Sequence, residues 1–451
     1  MWIVGGVVVI LLLFFALVGA QVLLRGTPVD RVLDLDGLAA SCRTDAPEFP
    51  TFAEFAAHTR LDPGVRVERL ENGAVFARLW SDLRSARRSI TILSYFAKPG
   101  RVAELLAEIL MERARAGVAV FWVRDAVGSG PLSRVYFDRL RAAGIRVAVF
   151  RPVRWYKLDR AINRSHMRAV VIDGATGYTG GFGFDDNWLA AGNGEGEWRD
   201  CNVRVTGLAV GRLQSAFIAH WAEAANELLI DDRLLGPCAP VATNLANGGA
   251  TAGELPADST SGPDGGVVVR LAGIMTSSAH PGTTSAERLL ALTVGAARET
   301  LHITNAYFVP DAEFIDMLCD ASRRGVDVRV LTNGPHVDVP IARFAGRRRY
   351  EKLLRAGVRI YEYQPTVLHS KTVMADGVWC SIGTVNFDNR SLAFNDEVSA
   401  LILDESFGAA MHATFLIDLE RATEVRLETF LRRSAAEHVK ERFADLIWRW
   451  L

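Results

Sequence analysis

The sequence predicts an α/β protein made of two homologous α/β/α halves with one active site between them, preceded by a transmembrane helix. Three observations lead there. From about residue 65, short apolar runs alternate with amphipathic stretches. The order of these elements restarts after a break rich in small residues at 239–266. Residues 2–24 contain no charged side chain.

The N-terminal stretch comes first in chain order. It includes VVVILLLFFALV, and its length suffices to cross a bilayer as one helix. It has no polar face to meet water, which argues against a helix of a soluble core. It lacks the basic leader of a secretory signal, so an uncleaved anchor is preferred, although Val18-Gly19-Ala20 resembles a cleavage site. Arg25 and Arg31 follow the span and nothing basic precedes it. That favours a cytoplasmic C-terminal side without fixing it. The expectation is a single-pass protein of the cell membrane, with 25–64 as a connector.

The remaining 65–451 reads as packed domains, since 49% of the chain is hydrophobic and only 23% charged. A net charge of −1 excludes a generally basic nucleic-acid binder, so any hold on phosphate must be local. The five cysteines show no CxxC pair and the nine histidines no HExxH. Neither a disulfide framework nor a metal site follows from such spacing, and no cofactor is expected.

Strands are expected at Ser89–Tyr95 and Val118–Val123, with a helix over Val102–Ala116 between them. The first half, 65–238, then finds its copy in 267–451. Ser94-Tyr95-Phe96 corresponds to Ala306-Tyr307-Phe308, and Gly117-Val118 to Gly325-Val326. Gly144-Ile145 likewise corresponds to Gly357-Val358. Each such glycine marks a helix end turning into a strand, where a left-handed residue is needed. Residues 239–266 between the halves lack aromatic side chains and read as a linker.

The chemistry concentrates in one motif that occurs twice. His166-Met-Arg168 is followed by Asp173 and Gly180, and His369-Ser-Lys371 by Asp376 and Gly383. The spacings are the same in both copies: two positions to the base, seven to the aspartate, fourteen to the glycine. The apolar run after each base predicts a strand, on which residues two apart share a face. A cation then holds phosphoryl charge while one histidine attacks phosphorus and another moves the proton of the leaving or entering oxygen. Two halves packed face to face about a pseudo-dyad supply the pair.

These motifs resemble the HxKxxxxD signature of the phospholipase D superfamily. The second copy, HSKTVMADGVWCSIGTVNFDNRSLAFNDE, is similar to that of bacterial cardiolipin synthases. AYFVPD, RGVDVRVLTN and EWRDCNVRVTG extend the resemblance over roughly residues 65–451. It implies a phosphohistidine intermediate with His166 as nucleophile and His369 as acid and base. It also implies an acidic residue beyond each motif that orients a histidine, for which Asp200 and Glu397 stand in the right places. Asp173 and Asp376 are expected to order local structure, and Asn386 to donate to a phosphate oxygen beside Arg168 and Lys371. The first copy departs from the pattern, with Arg168 for lysine and Gly183 where the second has Asn386. Arginine keeps the charge but differs in reach.

The function implied is phosphatidyl transfer between phospholipids, with phosphatidylglycerol or a similar lipid as substrate and the membrane as partner. Hydrolysis of a phosphodiester is the alternative, a nucleic acid being the less expected substrate. The departures in the first copy also leave room for an inactive lipid-binding homologue. Two weaker features remain. Arg343 to Arg349 forms a basic cluster, read as a solvated helix face or a headgroup site. The apolar C-terminus, 443–451, reads as a helix packed on the second half or a segment at the membrane interface. The oligomeric state is left open.

Overall fold

Val, Ile and Thr crowd the short runs between helices, and β-branched side chains favour extended backbone. A computed structural model of the chain describes residues 43–152, 163–192, 194, 196–236, 266–278 and 282–448, with isolated positions 6, 16, 29, 31 and 32. In it these runs form two eight-stranded mixed sheets. The strands of the first half are β1 (Arg66–Glu71), β2 (Ser89–Ser94), β3 (Ala119–Asp125), β4 (Arg146–Phe150), β5 (Ala169–Ile172), β6 (Thr176–Gly180), β7 (Trp198–Arg199) and β8 (Cys201–Thr206). With β9 (Val267–Val268), they give a sheet of order β4-β3-β2-β5-β6-β8-β1-β9, which leaves out β7.

The later strands are β10 (Leu271–Ser277), β11 (Thr300–Asn305), β12 (Asp327–Asn333), β13 (Arg359–Tyr363), β14 (Val367–Leu368), β15 (Lys371–Ala375), β16 (Trp379–Gly383), β17 (Glu397–Leu403) and β18 (Ala422–Glu424). Their sheet runs β10-β17-β16-β15-β11-β12-β13-β18. In both sheets three adjacent strands are parallel and the motif strand, β5 or β15, pairs antiparallel beside them. Parallel neighbours need crossover connections, and helices such as Arg101–Arg115 and Ala312–Arg323 supply them. The helix expected over Val102–Ala116 is therefore present. Gly117, Gly144, Gly325 and Gly357 all have φ near +90°, as the helix-to-strand turns require.

Each sheet buries one face under its own helices. Trp122 and Tyr178 lie in the first such core, Trp379 and Tyr350 in the second. A third core lies between the sheets and draws Val203 and Val205 together with Met374, Ile382 and Val398. The two halves thus share apolar contact and form one body.

Part of the expected connector belongs to this body as well. Phe49–Ala57 is a helix whose Phe49, Ala53 and Ala57 sink into the second half's core. Phe49 meets Trp379 edge to face, with ring centroids 5.2 Å apart. Its apolar spacing of four was present in FPTFAEFAA, but other apolar residues between those positions blurred the period.

Among the described residues no helix is long and apolar enough to cross a membrane. The expected anchor at 2–24 lies outside them apart from Gly6 and Ala16, and the linker at 239–266 apart from Gly266. Cys42 and Cys238 are also outside, whereas Cys201, Cys319 and Cys380 are buried free thiols.

Candidate active site

Each motif histidine stands just ahead of its strand, so its backbone is free to pair elsewhere. It pairs with the opposite half. The His166 N–H donates to the Asp396 carbonyl at 2.9 Å, and the His369 N–H to the Arg199 carbonyl at 2.7 Å. Short parallel contacts surround both bonds: Ser165 bridges Asp396, and β14 pairs with β7.

The residue after each acceptor is the acid. Glu397 therefore reaches His166 Nδ1 at 3.1 Å, and Asp200 reaches His369 Nδ1 at 3.1 Å. The acid beyond one motif serves the histidine of the other. An acid held on Nδ1 fixes the tautomer that leaves the Nε2 lone pair toward the cleft.

The acids are held from matched positions. Trp188 Nε1 donates to Asp200 at 2.8 Å, while Ser391, at the same offset after its own histidine, donates to Glu397 at 2.5 Å. The Thr384 hydroxyl also donates to Glu397. Its counterpart is Gly181, where a Cβ would lie 2.3 Å from Asp200 Oδ1, so only glycine leaves room for that carboxylate.

Arg168 and Lys371 both fold back on their histidines, and differently. Arg168 Nη1 lies 3.1 Å from His166 Nε2 and 3.0 Å from the His166 carbonyl. Lys371 Nζ lies 2.6 Å from the His369 carbonyl and 3.0 Å from Nδ1, leaving Nε2 of that ring uncovered by its base. The longer guanidinium thus caps the nitrogen that the ammonium does not reach.

All four side chains are buried, and burial governs their ionisation. Burial lowers His166 well below its ordinary value, and the charges of Arg168, Lys371 and Arg390 lower it further. Burial and Lys371 bring His369 down to about 4, against the pull of Asp200. Lys371 falls to about 7, again through burial.

The acids part company. Burial pushes Glu397 up to about 8 despite its hydroxyl donors. Burial acts on Asp200 too, but the His369 hydrogen bond and the nearby positive charges outweigh it and hold Asp200 below the usual carboxylate range. The His369 dyad therefore carries the firmer anion.

The histidines open into a cavity of about 390 Å³, lined by Arg168, Asn386 and Arg390 and walled by aromatic rings. Tyr95 meets His166 edge-on at 5.2 Å, and Trp188 and Trp198 flank His369 at 5.3 and 5.0 Å. Asn386 lies in this wall, and its amide oxygen has no hydrogen-bond partner among the described residues. At Gly183 a Cβ would stand 3.1 Å from the Phe96 side chain, so a matching amide in the first half would require Phe96 to shift.

Asp388 also lines the cavity, and burial pushes it up to about 7. Sequence reasoning missed Trp188, Ser391 and Asp388. For Trp188 and Ser391 the matched offset after each histidine was the available signal, hidden by the unlike residue types, whereas Asp388 has an aspartate at the same offset in the first copy, Asp185.

Asp173 and Asp376 sit elsewhere, at the far ends of the motif strands. Asp173 takes the left-handed conformation and accepts the N–H groups of Arg87, Arg88 and Ser89. Asp376 does the same for Arg298, Glu299 and Thr300. Neither lines the cavity, and both tie the turn after the motif strand to the neighbouring strand.

In the basic cluster, Arg343 and Arg347 pair with Glu362 at 2.8 and 2.5 Å, and Arg349 with Asp445 at 2.6 Å. These three side chains are partly buried and paired within the protein, whereas Arg348 is exposed.

Two histidines, two basic residues and two crossed acids in one cleft between mixed sheets define a member of the phospholipase D superfamily. A family model described as "Cardiolipin synthase, PLD-like domain" matches residues 291–419. A cardiolipin synthase of Geobacillus kaustophilus is 33% identical over 380 residues, covering 84% of this chain and 71% of that one. One of Halalkalibacterium halodurans is 32% identical over 374 residues, covering 82% and 69%. The chain belongs to the cardiolipin synthase family. Its fold is shared with the crystal structure of phosphatidylserine synthase from Haemophilus influenzae, at a TM-score of 0.59 and 12% identity over 85% of this chain and 95% of that one.

Proposed function

We propose that the chain is a phosphatidyltransferase of the phospholipase D type that makes cardiolipin from phosphatidylglycerol or a similar lipid. The crossed dyads carry this reading: each half contributes a histidine to one cleft and the acid for the other half's histidine. Family membership supplies the substrate class.

The working unit in this proposal is the pair of homologous halves, 65–238 and 267–451, related by a pseudo-two-fold axis and joined by the linker at 239–266. The segment 2–24 anchors the protein in the cell membrane by a single pass.

His166 Nε2 attacks phosphorus while His369 Nε2–H protonates the departing glycerol oxygen. The phosphorus–oxygen bond breaks as the phosphorus–nitrogen bond forms. His369 next takes the proton from a glycerol hydroxyl of a second lipid. That oxygen attacks phosphorus and releases His166.

The assignment of His166 as nucleophile follows what the family resemblance implies, and burial with the neighbouring cations keeps its ring neutral and its lone pair available. His369, beside the ionised Asp200, is the proton carrier. Arg168 leaves Nε2 for the phosphoryl oxygens as the lipid enters, where Lys371 and Asn386 also donate. The phosphodiester anion raises both histidines from their values in the empty cleft.

The test is lipid analysis of cardiolipin-deficient cells expressing the full chain, with His369→Ala as control. Cardiolipin with the unaltered chain alone supports transfer to a lipid alcohol. Phosphatidic acid in its place replaces transfer by hydrolysis, and no new lipid removes both.

A further inference from the structure

The helix Ala435–Trp448 has its amphipathicity turned inside out. Its inward face is polar and held by ion pairs: Glu441, fully buried, lies 3.1 Å from Arg433 and 3.5 Å from Arg347, and Asp445 pairs with Arg349. Among the described residues, its apolar inward contacts are Ala444, packed with Val309 and Ala345, and Trp448 against the same cluster.

Its outward face carries Val439, Phe443 and Leu446, which are 66%, 62% and 60% exposed. These positions are spaced by four and three, so they form one stripe. Exposed Lys440 borders the stripe on one side and exposed Arg442 on the other. Helices of water-soluble proteins arrange these faces the other way round.

The same helix ends at the cleft. Trp448 lines the active-site cavity, its ring 6.4 Å from that of Tyr307. Half-exposed Val127 and Pro131 line the cavity too.

We propose that the outward face of Ala435–Trp448 lies on an anionic phospholipid bilayer and brings the cleft to its lipid substrate. Val439, Phe443 and Leu446 enter the acyl boundary, while Lys440 and Arg442 meet headgroup phosphates on either flank. The ion pairs to Arg347, Arg349 and Arg433 fix the helix to the body, so the docked face has one orientation relative to the histidines. Trp448 then stands where a lipid passes from the surface into the cavity. Only this last step rests on the phospholipid reading of the cleft.

The test reads lipid contact without turnover. The full chain is reconstituted in phosphatidylglycerol vesicles, with a benzophenone-bearing residue in place of Phe443 or Leu446, or in place of exposed Glu108 in the first half. Illumination should give lipid adducts at 443 and 446 and none at 108. The charge reversals Lys440→Glu and Arg442→Glu together should cut adduct yield about tenfold or more. They should have little effect in vesicles of zwitterionic phosphatidylcholine. Adducts to a second copy of the chain, or none at 443 and 446, would overturn the proposal. Lipid adducts from a chain that makes no cardiolipin would uphold the surface and remove only the catalytic reading.

Discussion

The two halves of the molecule use one architecture with different chemistry at the same stations. In the second half Lys371 leaves Nε2 of His369 open, and the ionised Asp200 stands on the other ring nitrogen. Around the first half's histidine, Arg168 caps Nε2 of His166, and Glu397, which comes from the second half, resists ionisation. A duplicated motif thus gives two histidines with unlike partners. The proposed reaction uses two roles, one histidine attacking and the other carrying a proton.

The histidines give the largest expected effects. His166→Ala and His369→Ala should each lower kcat by roughly 10³-fold or more. Acid-labile phosphohistidine should still form, slowly, in His369→Ala and be absent from His166→Ala. An adduct on His369 in the His166→Ala protein would reverse the assignment of roles.

The acids come next. Asp200→Asn should reduce turnover on the order of 10²-fold, and Glu397→Gln less, because only Asp200 is firmly ionised. A double-mutant cycle should show Asp200 coupled to His369 and additive with His166. Coupling within each half would break the crossed arrangement.

Lys371 predicts a pH limb. Its ammonium loses charge as pH rises through about 7, so kcat/KM should fall on the alkaline side. Lys371→Arg should remove that limb, because a guanidinium stays charged, at a cost of about tenfold in rate. An unchanged profile would assign the limb to another group.

Asp173→Ala and Asp376→Ala should cost stability more than chemistry, about 2 kcal/mol each by denaturant unfolding, since each orphans three backbone donors. The smallest effect is expected of Gly183→Asn. It should fail to raise activity and cost about 1 kcal/mol through crowding of Phe96.

The sequence by itself determined the α/β class and the matched spacing of two motifs, each with a histidine, a base and an acid beyond it. Matched spacing carries such information, because residues on one strand or turn keep a fixed relation in any copy of it. The left-handed turns at Gly117 and Gly325 were legible for the same local reason.

What only the tertiary structure decided is everything that crosses between elements far apart in sequence. Asp200 and His369 are brought together by backbone pairing of β7 with β14, and Glu397 and His166 by the bridge from Ser165 to Asp396. No periodicity records such a pairing. The Arg343–Arg349 cluster looked free in sequence because its partners lie elsewhere in the fold, Glu362 on the next strand and Glu441 and Asp445 on a helix nearly a hundred residues later. Burial raises both acids, and the partners that packing sets around each one separate them: the His369 hydrogen bond and nearby positive charges hold Asp200 down, while burial prevails at Glu397.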